Sequence, residues 1–164
     1  MNYYPRMYKV MFVCMGNVCR SPLAQVLLEN HIEGKGLQRY IGTESSGVNV
    51  FNEGQRACEE IRLAAAAQGI PFDHYSRRFT ISDINEYNLI LAMDEETMRR
   101  VREFGRRVTP KGKIRFFRDF DPIRNGSNEV PDPWGAFSAD AEEVFSIIER
   151  TIKPLVDTIL ANKI

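Results

Sequence analysis

The sequence has too little of several things to support whole classes of function. It holds three cysteines in 164 residues, an odd number that argues against a disulfide scaffold and suits a reducing compartment. Neither sign of charge is in excess: 22 Lys and Arg balance 22 Asp and Glu, so no global field points to nucleic acid or an anionic membrane. No apolar run approaches the roughly 18 residues of a membrane span. Met1-Asn2-Tyr3-Tyr4-Pro5-Arg6 lacks the apolar core of a secretory signal. Internal repeats, low-complexity tracts and linker-like stretches are missing as well. The remaining composition is ordinary for a globular protein, and the chain is long enough to bury a proper core. These absences predict one cytoplasmic domain over residues 1–164 that binds no nucleic acid and inserts into no membrane.

The most informative segment present is Val13-Cys14-Met15-Gly16-Asn17-Val18-Cys19-Arg20-Ser21-Pro22. Before it, Tyr8 to Val13 is rich in β-branched and aromatic residues and reads as a buried strand. After it, Ser21 suits an N-cap and Pro22 the first helical position. The loop from Cys14 to Arg20 therefore joins a strand to a helix N-terminus. Backbone N–H groups there lack partners within the helix, and the helix dipole adds positive potential. Such a place holds an anion, most naturally inorganic phosphate or another oxyanion. Two side chains add chemistry to binding. Helix N-termini and cations favour a thiolate over a thiol, which bears on Cys14. The planar fork of Arg20 matches two oxygens of a phosphoryl group. Gly16 and Asn17 tolerate the left-handed backbone of a tight anion nest. A thiolate below a phosphoryl group, with arginine on its equatorial oxygens, is arranged for attack on phosphorus.

The rest of the chain alternates strand and helix patterns. A helix is expected from Leu23 to about Glu33, stopped by Gly34 and Gly36, then a strand near Arg39 to Ser46. A second helix is expected from Glu53 to Gln68, ended by Gly69. Thr80-Ile81-Ser82-Asp83 has the spacing of a capping box before a short helix. Asn88 to Met93 is the clearest central strand, and Asp94 caps a helix running to about Phe104. Lys113 to Phe117 is the fourth strand. The last helix should begin near Ser138, with Val144, Phe145, Ile148, Ile152, Leu155, Val156 and Ile159 as its apolar stripe, and Pro154 should kink or break it near Glu149 to Lys153. Such alternation predicts an α/β fold of parallel strands with helices on both faces, and a site at the strands' carboxyl ends. Near the C-terminus stands Glu129-Val130-Pro131-Asp132-Pro133-Trp134-Gly135. The flanking prolines hold Asp132 out of a helix; by itself an Asp-Pro in a loop is an ordinary turn.

The run from Cys14 to Pro22 resembles the signature loop of the low-molecular-weight protein tyrosine phosphatases, which carry Cys-x-Gly-Asn-x-Cys-Arg-Ser-Pro after their first strand. The segment around Asp132 resembles the Asp-Pro-aromatic stretch that bears their general acid. The resemblance extends from about Tyr8 to the C-terminal helix. It implies a flavodoxin-like three-layer sandwich with a four-stranded parallel sheet in the order 2-1-3-4. It also implies hydrolysis of phosphotyrosine proteins or small aryl phosphates through a phosphocysteine, with no metal and no cofactor. Cys14 would be the nucleophile, Arg20 the phosphate clamp, and Asp132 the general acid and then the general base. Met15, Gly16, Asn17, Val18 and Cys19 would surround the phosphate, while Phe51 and Trp134, with Met15 and Val18, would wall an apolar slot. Asn17 and Ser21 would hold the loop and tune the thiolate. Ser45, in Ser45-Ser46-Gly47, would pack beneath the loop, and His74 would buttress Asn17. The family pairs its loop cysteines, which implies a reversible Cys14–Cys19 disulfide; Cys58 reads as a small buried side chain. Met93-Asp94-Glu95 also matches, although a plain helix cap accounts for Asp94.

The chain departs from the family where substrates are chosen. The stretch after Gly47 offers Phe51 where many relatives carry a tryptophan or other aromatic residue, and lacks their Asp-Pro before the next helix. Trp134 and Gly135 stand where animal relatives have two tyrosines. Two other classes fit the same loop. One is arsenate reduction with an external thiol, because no further cysteine lies between Gly69 and Met93. The other is a non-catalytic phosphotyrosine-binding or redox-sensing module.

Overall fold

The first strand shows why this chain folds as a layered sheet. In the computed structural model, which describes residues 6–51, 53–106, 113–134 and 140–164, β1 spans Tyr8–Cys14. Its period of two sends Val10, Phe12 and Cys14 to one core and Met11 and Val13 to another. Both sets are buried, so the strand needs apolar residues at every position rather than at alternate ones. β2 (Ile41–Gly47), β3 (Leu89–Ala92) and β4 (Lys113–Phe116) join it in the order β2-β1-β3-β4, and every pairing is parallel. On the Phe12 side lie α1 (Arg20–Gly34), α2 (Glu59–Ala67) and α5 (Ala141–Leu160); on the Met11 side lie α3 (Ile81–Glu86) and α4 (Glu95–Gly105). This is the flavodoxin-like three-layer arrangement that the resemblance implied. Chain order reverses between β1 and β3, and in such sheets a crevice opens there at the carboxyl ends. Cys14, the last residue of β1, stands at that end. Among the described residues no helix is long and apolar enough to cross a membrane.

Several elements differ from expectation, each for a physical reason. The N-cap of α1 is Cys19, not Ser21, and it makes no side-chain cap bond; the Ser21 hydroxyl is engaged at the loop instead. α2 starts at Glu59 rather than Glu53. Residues 54–57 pair with residues 74–76 through Gly54 N to Ser76 O at 2.7 Å, Ser76 N to Gln55 O at 2.8 Å and Ala57 N to His74 O at 2.9 Å. Gly54 takes φ +80° there, a conformation that ends any helix and that glycine adopts freely. β2 and β4 shift by one or two residues, and Phe117 opens a 3₁₀ turn, Phe117–Phe120. Thr80 and Asp83 form the expected capping box of α3.

The last helix carries the largest surprise. Its expected start at Ser138 lies outside the described residues; Asp140 caps the helix by accepting Glu142 N at 2.7 Å. The helix then runs unbroken through Pro154. A proline inside a helix costs about 3 kcal/mol, whereas each fully buried large apolar side chain contributes about 1.5–3 kcal/mol. Val144, Phe145, Ile148 and Ile152 before the proline and Leu155, Val156 and Ile159 after it are all buried on one core, so burial on both sides outweighs the proline. Replacing Pro154 with alanine restores an N–H donor and removes the ring clash. We expect Pro154→Ala to raise stability by about 1–2 kcal/mol, seen as a higher urea midpoint; a lower midpoint would mean that the ring's packing matters more than the lost bond.

Candidate active site

The loop after β1 is fixed by one residue in an unusual conformation. Asn17 has φ 56°, in the left-handed region where Asn is tolerated better than most residues. Gly16 does not share that conformation among the described backbone outliers, so the left-handed residue of the loop is Asn17 alone. Its side chain is fully buried and binds on both ends. Nδ2 donates to Ser21 Oγ at 2.9 Å and Ser45 Oγ at 3.0 Å. Oδ1 accepts from the Arg77 N–H at 2.9 Å and pairs with His74 Nε2 at 3.1 Å. A carbonyl oxygen only accepts, so His74 must carry its proton on Nε2. Burial pushes the His74 pKa down; the bond to Asn17 opposes this and the Arg77 charge adds to it.

Gly47, at the end of β2, lies directly under the loop. A Cβ there would stand 2.7 Å from Met15 O and 2.9 Å from Asn17 N, so a side chain would push the loop off the sheet. The bonds of Asn17 also orient Ser21. With Asn17 Nδ2 donating to its oxygen, the Ser21 proton is free for Cys14 Sγ at 3.0 Å or Ser46 O at 3.4 Å. Asn17 N donates to the same sulfur at 3.3 Å. Cys14 is thus a buried cysteine outside any disulfide, with Asn17 N donating to its sulfur and the Ser21 hydroxyl within hydrogen-bond distance. The N–H groups of Gly16, Val18, Cys19 and Arg20 have no protein acceptor among the described residues. They form the set of donors an anion would need.

Arg20 closes the base of the site. Its guanidinium is buried and held from three directions: Nη1 donates to Asp94 Oδ2 at 2.6 Å and Val130 O at 3.1 Å, and Nη2 to Asp132 Oδ2 at 3.2 Å. Burial works against the charge, but Cys14, Asp94 and Asp132 together raise the Arg20 pKa above its ordinary value. Asp94 does double duty, since its Oδ1 caps α4 by accepting Thr97 N at 2.7 Å. Burial would push its pKa up; the Arg20 charge and the Thr97 bond prevail and hold it below the usual carboxylate range.

Asp132 sits half-exposed on a segment pinned at several points. Val130 N donates to Met93 O at 2.8 Å, and Arg118 Nη1 donates to Glu129 O at 2.9 Å. Arg118 is itself locked by the fully buried Asp121, which also binds Arg150. The cleft above Cys14 measures about 230 Å³. Cys14, Gly16, Cys19 and Arg20 line it, and Asp132 stands at one side. Met15, Val18, Val50, Phe51 and Trp134 supply apolar walls, with Asn49 and Gln55 between them. Phe51 is 83% and Trp134 56% exposed, so both stand at the rim.

Comparison with known proteins agrees with this geometry. The sequence profile described as low molecular weight phosphotyrosine protein phosphatase matches residues 9–163. The chain belongs to that family. It is 32% identical over 143 residues to the low molecular weight protein-tyrosine-phosphatase of Streptomyces coelicolor, covering 87% of each chain. Among solved structures, YfkJ from Bacillus subtilis superposes with a TM-score of 0.87 at 28% identity, over 96% of this chain and 98% of that one. A protein tyrosine phosphatase from Entamoeba histolytica with Hepes in its active site gives 0.85 at 29% identity, over 96% and 99%.

Within this phosphatase-family fold, Cys14, Arg20 and Asp132 meet at one cleft although they come from opposite ends of the chain. Met15, Gly16, Val18, Cys19, Phe51 and Trp134 line the same cleft, while Asn17, Ser21, Ser45 and His74 form the layer that holds the loop. Two sequence expectations are corrected. Cys58 is not a lone buried side chain: it is bonded to Cys19, 39 residues away in sequence, and Cys14 is free. Asp94 is more than a cap, because it is the closest partner of Arg20. Its position after β3 was visible in the sequence, but the cap signature fully explained it and hid the second oxygen. Removing the Asn17 side chain strands four bonds in a buried place and leaves a strained φ. We expect Asn17→Ala to destabilise the protein by about 3 kcal/mol, measured by urea unfolding; a change below about 1 kcal/mol would show that the loop does not depend on it.

Proposed function

We propose that the chain hydrolyses phosphotyrosine and other aryl phosphate monoesters through a phosphocysteine at Cys14. The observation that carries this reading is the convergence of Cys14, Arg20 and Asp132 on one apolar-walled cleft whose loop donors face the sulfur. The family match over residues 9–163 supports it, and also supports reading the chain as one catalytic domain. In the first step the phosphate oxygens take the free loop N–H groups and Nη2 of Arg20, displacing Asp132. The Cys14 thiolate attacks phosphorus, the bond from phosphorus to the phenolic oxygen breaks, and protonated Asp132 gives its proton to that oxygen. In the second step the Asp132 carboxylate takes a proton from water, the water oxygen attacks phosphorus, and the phosphorus–sulfur bond breaks to return the thiolate. Arg20 and the backbone donors stabilise the equatorial oxygens in both steps, the main demand that phosphoryl transfer makes on a protein. Phe51 and Trp134 at the rim favour a flat ring over an alkyl chain.

Asp132→Asn keeps the shape of the segment but cannot donate the proton. It should lower kcat on an aryl phosphate by about 10²-fold or more while inorganic phosphate inhibits as before. An unchanged kcat would remove Asp132 from the mechanism. Cys14→Ser should abolish turnover that persists in a metal chelator, and residual wild-type-like turnover in that variant would overturn the reading.

Asp94→Asn tests the clamp. Asparagine preserves the cap on Thr97 N but loses the charge that holds Arg20. We expect kcat/KM to fall about 10-fold with α4 intact by circular dichroism. A full wild-type kcat/KM would show that Arg20 needs no anchor at its base.

A further inference from the structure

Cys19 and Cys58 are disulfide-bonded while Cys14 is free. The bond joins two helix starts, since Cys19 is the N-cap of α1 and Cys58 that of α2. Their Cα atoms stand 5.4 Å apart, inside the usual span for a disulfide. Cys58 N also donates to Val18 O at 2.7 Å. The backbone therefore holds the two sulfurs within reach of each other whether or not they are bonded. Cys19 shares the loop with Cys14, and both line the cleft, whereas Cys58 is buried away from it. Cys19 thus links the two others: it shares the loop and the cleft with Cys14 and is bonded to Cys58.

We propose that Cys19 and Cys58 are a thiol–disulfide site that draws oxidation away from Cys14. This rests on Cys14 being the reactive thiolate of the proposed function. A hydroperoxide entering the cleft meets Cys14. The thiolate attacks the terminal oxygen, the O–O bond breaks, and Cys14 becomes a sulfenic acid while the other oxygen leaves as water or alcohol. The Cys19 thiol attacks that sulfur, a Cys14–Cys19 disulfide forms, and water leaves. The Cys58 thiolate then attacks Cys19 Sγ, the Cys14–Cys19 bond breaks, and Cys14 departs as thiolate. In sum, two thiols and one hydroperoxide give one disulfide, one water and one further water or alcohol. The direction of the last exchange follows from the site. Cys14 has the Ser21 hydroxyl and Asn17 N–H to carry its negative charge, which makes it the better leaving sulfur. The end state is the one in the structure: Cys19–Cys58 joined and Cys14 free.

The test begins with protein fully reduced by a dithiol, which is then removed. One equivalent of hydrogen peroxide is added, aryl phosphate hydrolysis is followed, and aliquots are alkylated for peptide mass mapping. In wild type, activity should fall and then return to about half or more of its starting value without reductant, while the cross-link moves from Cys14–Cys19 to Cys19–Cys58. Cys58→Ser should match wild type before oxidation but stay inactive and linked Cys14–Cys19 until a dithiol is added. Cys58→Ala must behave the same way, which removes any effect of the serine hydroxyl. The proposal is overturned if wild type ends as Cys14–Cys19 or as sulfinic Cys14, or if the Cys58 variants recover as wild type does. Should the reduced protein hydrolyse no aryl phosphate, the mass map alone decides: Cys19–Cys58 linked with Cys14 open to alkylation sustains the relay, and any other lasting product ends it.

Discussion

The structure depends on burying one positive charge. Arg20 lies at the base of a cleft with almost no exposure to solvent, where an unpaired guanidinium would be too costly to keep. Its partners come from three places in the sequence: Asp94 after β3, Val130 and Asp132 from the segment near the C-terminus, and the loop that holds Cys14. Satisfying Arg20 thus assembles the site. In the proposed function the same guanidinium gives up part of this shell to a phosphoryl group, and its bond to half-exposed Asp132 is the longest and most accessible of the set. In the proposed mechanism Asp94 stays as the anchor, which leaves Asp132 to act on the leaving group.

A second layer keeps the loop ready. Asn17 spends its whole hydrogen-bonding capacity on Ser21, Ser45, His74 and Arg77 N, so the loop's shape is paid for before any anion binds. Pre-organised donors are worth most in a site of this kind, because they need no rearrangement as charge develops. Arg77 extends the layer downward, where its guanidinium binds both oxygens of Asp83, the residue that completes the capping box of α3. A helix on the opposite face of the sheet is thereby connected to the cleft floor.

Most of the fold was legible from periodicity. β1 and β3 read as uninterrupted apolar runs because both of their faces are covered, and the stripe of α5 was visible residue by residue. What the sequence hid is also physical. The start of α2 is hidden in the sequence because Glu53-Gly54-Gln55-Arg56 has no apolar residue to reveal its period, and the pairing of residues 54–57 with residues 74–76 is a tertiary fact. Pro154 does not break α5, because the burial on either side outweighs the local rule. The loop, Arg20 and Asp132 stand out in the sequence because a Cys-x5-Arg run before a helix start and a proline-flanked Asp are each distinctive, and the structure brings them to one cleft. Asp94 does not stand out, since a cap explains it. Neither does the partner of Cys19, because connectivity among three cysteines cannot be read from spacing, and Cys58 comes within bonding distance only once α1 and α2 pack on the same face of the sheet.

The central claim is that Cys14 carries the phosphoryl group between the two steps. The most direct measurement is to mix enzyme with an aryl phosphate, quench in the millisecond range, and examine the protein by phosphorus NMR and peptide mapping. The account predicts a phosphorus–sulfur linkage on Cys14 that appears with the release of the phenol and decays with the release of phosphate. Phenol and phosphate released together, with no phosphoryl group on Cys14, would contradict it.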